Sequence, residues 1–151
     1  MYTHLLVALE NSAYDESILR HVRSLAMLCN ARVTLIHVAD GFAARNMQAL
    51  KLRESEEMRV DRDYLEQCAR ELAGLELEVD AILASGDPAA EICAAAERER
   101  CDLIAMATHG HGFLNDVVRG SVANQVRHRT MVPVLMVRGV PATTTTPDEV
   151  S

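Results

Sequence analysis

The 151-residue chain has the length of one domain, and its 49% apolar content is enough to bury a full core, which must be aliphatic because aromatics make up only 3%. A formal net charge of −7 repels phosphate backbones and argues against a general nucleic-acid binder. No apolar run approaches the roughly 20 residues of a membrane span.

The opening "MYTHLLVALENS" is too short and too soon polar for a secretory signal, so a cytosolic protein is expected. Residues 4–10 read as a strand that closes on the carboxylate of Glu10. Ile18, Val22, Leu25 and Cys29 then recur at helical spacing, with Ser12 as the expected N-cap. Residues 31–40 form a second β-branched run closing on Asp40. Residues 41–54 read either as a loop or as an early start to the second helix, which Met58, Leu65, Cys68 and Leu72 mark and Gly74 stops. Residues 75–87 give the third strand. Asp87 caps a third helix with Pro88 at its first position, where a missing N–H costs nothing. Residues 101–108 give the fourth strand. A fourth helix is entered through Gly120, and its Arg127, His128 and Arg129 suit the negative end of the helix dipole. Residues 132–138 complete five strands.

Several strands are apolar on consecutive residues, which suits a parallel sheet covered on both faces. Strand and helix alternate throughout. The reading is a single doubly wound α/β domain over residues 1–139, a five-stranded parallel sheet with about four helices. Residues 140–151, rich in Thr and Pro, are expected to be a disordered tail.

In such a sheet, ligands bind beyond the carboxyl ends of the strands where strand order reverses. Three features converge there: Glu10, residues 38–40, and the stretch "MATHGHGFLNDVVRGSV" over residues 106–122. That stretch suits a plain loop, a metal site on His109 and His111, or a phosphate cradle. Gly110 and Gly112 permit close backbone approach or positive φ. Gly120-Ser121, if they open the last helix, offer free N–H groups, partial positive charge and a hydroxyl. Such amides can hold an anion whatever the net charge. The stretch lacks the lysine of a Walker-type loop, and the His-x-His pair lacks an evident third ligand.

"THGHGFLNDVVRGSVANQV" followed by "VPVLMVR" resembles the C-terminal half of the universal stress protein family. The fingerprint of its nucleotide-binding branch is Gly, two residues, Gly, nine residues, Gly, then Ser or Thr. Gly110, Gly120 and Ser121 match it, and Ala107 replaces the first glycine. "LLVALENSAYDESIL" resembles the family's opening, with Glu10 where aspartate is usual and Asn11 where glycine is usual; "LIHVAD" and "GDPAAEI" also match in place. The resemblance implies an ATP-binding domain of the adenine-nucleotide α-hydrolase-like type, and a homodimer. It puts Ala8, Leu9 and Glu10 against the adenosine, Val38 at adenine, and Met106 and Ala107 beside the ribose. Gly110, Gly120, Ser121 and Val122 would wrap the phosphates. Glu10 would accept from ribose hydroxyls or sit near a metal ion, with Mg2+ an optional companion of the ATP. Asp116 itself reads first as a solvated loop residue, and only second as one that helps place a cation on the phosphates.

The last strand, expected at a sheet edge, invites antiparallel pairing with its copy through Val132, Pro133, Val134, Leu135, Met136 and Val137, with a gap where Pro133 lacks a donor. Met106 and Met136 read first as core, His37 as a structural histidine, and "RESEEMRVDRD" as the wet face of a helix. Cys29, Cys68, Cys93 and Cys101 form no C-x-x-C pair and read as reduced core cysteines. Phosphoryl transfer needs a positioned nucleophile and a cation. No nucleophile–base pair stands out and only Arg119 adjoins the loop, so turnover would be slow at most. The expected function is a regulatory ATP-binding dimer. The alternatives are a nucleotide-free interaction protein of the same fold, or a slow ATP hydrolase. ATP-pyrophosphatase synthetases are excluded, since "ENSAYD" has no glycine.

Overall fold

The computed structural model describes the backbone of residues 1–40, 51–74, 76–108 and 116–140, and the side chains of these apart from 40, 51–55 and 116–121. Strand and helix alternate along it: β1 (His4–Ala8), α1 (Asp15–Cys29), β2 (Arg32–Asp40), α2 (Lys51–Ala73), β3 (Val79–Gly86), α3 (Pro88–Arg98), β4 (Leu103–Thr108), α4 (Asp116–Arg129) and β5 (Val134–Arg138). The five strands form one parallel sheet in the order β3-β2-β1-β4-β5. The central β1 is buried along its whole length, as a strand covered on both faces must be.

The alternation of side chains along each strand divides the core in two. On one face Leu5, Val7 and Leu9 of the β1 segment and Leu35 of β2 pack against Ile18, Val22 and Ala26 of α1 and Leu65, Cys68 and Leu72 of α2. On the other face Leu6, Ala8 and Ile36 pack against Ala89, Ile92 and Ala95 of α3 and Ala123 and Val126 of α4. Burying a side chain such as Ile18 or Val22 completely contributes roughly 1.5–3 kcal/mol.

The helix ends show which local signals acted. Asp87 accepts from the Ala90 amide at 3.0 Å, with Pro88 in the first helical position. Asn30 ends α1 in the left-handed region at φ 55, its amide turned to the Ala26 and Met27 carbonyls. Ser12 is not the N-cap of α1. The helix starts later, and Tyr14 holds that position without a side-chain cap. Ser12 Oγ lies too early to reach the free helical amides and accepts instead from the Tyr14 amide at 3.3 Å. The second helix does start early, at Lys51, while residues 41–50 lie outside the described residues. The fourth helix is not entered at Gly120 but at Asp116, one turn sooner. An aspartate as first helical residue suits the positive end of the dipole, and one internal glycine costs only about 1 kcal/mol.

Among the described residues β5 lies at a sheet edge, paired with β4 alone. The strand starts after Pro133, whose carbonyl accepts from the Ile104 amide at 3.0 Å. Met136, read as core, is 40% exposed, because an edge strand lacks a neighbour on one side. The chain is still anchored beyond β5. The Gly139 amide donates to the Thr108 carbonyl at 2.7 Å, and Val140 exchanges hydrogen bonds with Ser17 Oγ at 3.1 and 3.2 Å. A Cβ on Gly139 would meet Tyr14 Cδ1 at 2.9 Å, which explains the glycine there. Residues 141–151 of the expected tail lie outside the described residues.

Candidate functional site

Strand order reverses between β1 and β4, and β2 flanks β1 on its other side. The carboxyl ends of these three strands therefore meet at the switch point where doubly wound sheets bind ligands. Ala8 stands in register with Ile36 and Met106. The Leu9 amide donates to the Ile36 carbonyl at 2.8 Å, carrying the chain one residue past β1. Ala8 and Met106 are buried on the α3/α4 face, with Val38 and Val122 packed half-buried against the same cluster. Leu9 is buried, and Ala107 packs half-buried, on the α1/α2 face. Glu10 is half-buried at the tip of the turn. The fold thus gathers Ala8, Leu9, Glu10, Val38, Met106 and Ala107 at one edge. Gly110, His109 and His111 lie outside the described residues.

Gly120 and Ser121 lie within α4. Only the first four N–H groups of a helix, counted from its N-cap, lack an intrahelical partner, so the described free amides belong to residues 116–118 rather than to this pair. Ala107 lies in β4 opposite Val137, and the described non-glycine residues with positive φ are Asn11, Asn30, Glu76 and Arg100. The strand therefore carries the Ala107 methyl without backbone strain. Asn11, at φ 59, occupies the left-handed region that suits glycine or asparagine.

The turn from β1 to α1 is tied down by side chains that the sequence reading passed over. Asp15 is buried, and its Oδ1 accepts from the Glu10 amide at 2.9 Å. Its Oδ2 accepts from the Ser12 amide at 3.2 Å and from the Tyr64 hydroxyl at 2.7 Å. Ser12 Oγ donates to Glu10 Oε2 at 3.3 Å. Burial and the bond to Asp15 push the Tyr64 phenol well above its ordinary pKa, so it stays a donor. His37 is the structural histidine expected: its Nδ1 donates to the Leu9 carbonyl at 3.0 Å, and its Nε2 stands 3.6 Å from Asp61 Oδ2. Asp61 Oδ1 accepts from the Asn11 side-chain amide. Asp61 belongs to the run read as a wet face, yet its side chain is only 20% exposed. The signal was available, because Asp61 and Tyr64 share a helical face with Leu65, Cys68 and Leu72.

A groove of about 600 Å3 runs between α1 and α2, lined in part by Ser12, Leu19, Arg20, Tyr64 and Cys68. Cys68 and Cys101 are buried and Cys29 and Cys93 half-buried. Burial raises the Cys101 thiol to about 11 and shifts Cys68 and Cys93 in the same direction, which keeps these thiols protonated and weakly reactive. Among the described residues, no three His, Cys, Asp or Glu side chains gather as a metal site, and no helix is long and apolar enough to cross a membrane.

Known proteins resemble the chain over nearly its whole length. The model of the universal stress protein family matches residues 1–138. A universal stress protein of Methanocaldococcus jannaschii is 30% identical, the match covering 91% of this chain and 96% of that one. Its solved structure superposes with a TM-score of 0.78 at 28% identity, covering 94% of this chain and 99% of the other. A universal stress protein of Archaeoglobus fulgidus, solved in complex with dAMP, has the same fold at 20% identity and a TM-score of 0.68, covering 90% and 98%. A further universal stress protein, solved with cAMP, has it at 17% identity and a TM-score of 0.65, covering 91% and 97%. The doubly wound sheet, the gathered strand ends and these likenesses agree: the chain belongs to the universal stress protein family.

Proposed function

We propose that the protein binds an adenine nucleotide, ATP by preference, at the β1–β4 switch point, and that occupancy sets the state of a cytoplasmic regulatory homodimer. The observation that carries this reading is the convergence of Ala8, Leu9, Glu10, Val38, Met106 and Ala107 on one sheet edge. Ala8, Val38 and Met106 offer an apolar wall for a base, and Glu10 offers a carboxylate to ribose hydroxyls. The phosphates would lie toward Gly110 and the start of α4, where free amides and the positive helix end favour an anion. Val122, already on the same face as Ala8 and Met106, would border them. Mg2+, if it enters with ATP, would be held largely by the phosphates, as that ion commonly is. The relatives solved with dAMP and cAMP support an adenine nucleotide as the ligand class. The dimer would form through β5, whose outer edge has no strand partner in the sheet.

A nucleotide-free interaction protein of the same fold is the second reading. It is favoured by the start of α4 at Asp116, which places the Gly120 and Ser121 amides inside the helical ladder. Calorimetric titration with ATP separates the two. The parent should bind one ATP per chain saturably. Gly120→Val, which replaces the least helix-prone residue of α4, should stay folded and weaken binding at least tenfold, because its side chain blocks close approach. Equal binding by the variant would refute the phosphate site, and a parent that binds nothing would favour the second reading.

A further inference from the structure

Asp61 sits on the inward face of α2, and its two carboxylate oxygens meet two different elements. Oδ1 accepts from the side-chain amide of Asn11, the residue held in the left-handed region at φ 59. Oδ2 lies 3.6 Å from His37 Nε2, on β2. His37 Nδ1 donates to the Leu9 carbonyl at 3.0 Å, and the 3.6 Å approach of its Nε2 to Asp61 is longer than a hydrogen bond. On the same face of α2, Tyr64 donates to Asp15, whose carboxylate accepts the amides of Glu10 and Ser12. Thus α2 holds three consecutive residues of the turn. It reaches Glu10 and Ser12 through Asp15, and Asn11 directly.

We infer that Asp61 is a positioning residue for the nucleotide site, holding the Glu10–Ser12 turn so that the Glu10 carboxylate meets the ligand in one orientation; this rests on the adenine-nucleotide reading above. The clasp lies on the α1/α2 face, whereas Ala8, Val38 and Met106 face the other way. Asp61 therefore acts through Asn11 without touching the ligand. The coupling is reciprocal: a nucleotide that steadies the turn also steadies α2. Ser12 and Tyr64 line the α1–α2 groove, so occupancy of the site is carried to an exterior surface.

The test compares ATP affinity in three variants of the full chain. Asp61→Ala should weaken binding about tenfold, the scale of one hydrogen bond to a charged group. Asp61→Asn keeps an acceptor for Asn11 and should restore most of that loss. Asp102→Ala, at the opposite end of the sheet, should lower stability yet bind ATP as the parent does. In the nucleotide-free protein, the amide resonances of Glu10 and Ser12 should move in Asp61→Ala and stay in place in Asp102→Ala. Should Asp61→Ala fail to fold, Asn11→Gly, which removes the amide from which Asp61 accepts and keeps the left-handed turn, takes its place; a loss of about threefold or more is expected, and no loss would overturn the inference. Undiminished affinity in Asp61→Ala beside a binding parent would overturn the inference alone, as would an equal loss in Asp102→Ala. A parent that binds no ATP would overturn the site reading and this inference together.

Discussion

Asp102 shows at one residue how the amino edge of the sheet is held. Its Oδ2 accepts from the Thr3 amide at 2.8 Å and the Thr3 hydroxyl at 3.0 Å, and its Oδ1 accepts from the His4 amide at 3.0 Å. Partial burial works against the charge, but the donors from His4 and Thr3 outweigh it and hold the carboxyl below its usual range. A depressed folded pKa means that the stabilisation is present above the unfolded value near 3.9 and is lost as pH falls through the folded value. Asp102→Ala should cost about 1 kcal/mol in urea unfolding at neutral pH. The gap to the parent should shrink in acid, as the pH falls through the lowered folded value; a gap of unchanged size there would contradict the assignment. At this scale the sequence was legible where a residue acts on its immediate neighbours. Asp87 and Pro88 announce their cap, and Asn11 takes the conformation of the glycine usual in the family. Asp15, Asp61 and Tyr64 act across two elements at sequence separations of up to 50 residues, and no local pattern records such partners.

At the scale of elements, apolar runs located all five strands, because burial on both faces leaves a continuous signal. Boundaries followed finer chemistry. β3 begins at Val79 rather than at residue 75, since Glu76 turns the chain at φ 66 just before it. α4 begins before Gly120 because a single glycine does not end a helix that Asp116, Val117 and Val118 have already opened. This displacement matters for the proposed site, since it moves the described free amides to residues 116–118. β5 carries the prediction that belongs here. Its Met136 is 40% exposed, so Met136→Lys should fold normally. A charge on the pairing edge should shift the protein to monomer at concentrations where the parent is a dimer, as light scattering would show. A parent already monomeric, or an unchanged dimer in the variant, would argue against assembly through this strand.

For the whole molecule, the strand order β3-β2-β1-β4-β5 does the most to make a function possible, because it creates one crevice between oppositely directed crossovers. Alternating elements made the doubly wound class legible. The switch point followed from that class together with the carboxylate and glycine-rich stretch that close two of its strands. What no sequence pattern recorded was the bracing of the β1–α1 turn by α2, through Tyr64 to Asp15 and Asp61 to Asn11. The central claim is that this crevice holds an adenine nucleotide. It is tested most directly by incubating the purified protein with ATP, removing free nucleotide by gel filtration, denaturing the protein and identifying what is released by mass spectrometry. The account predicts an adenine nucleotide approaching one per chain; protein that releases none would contradict it.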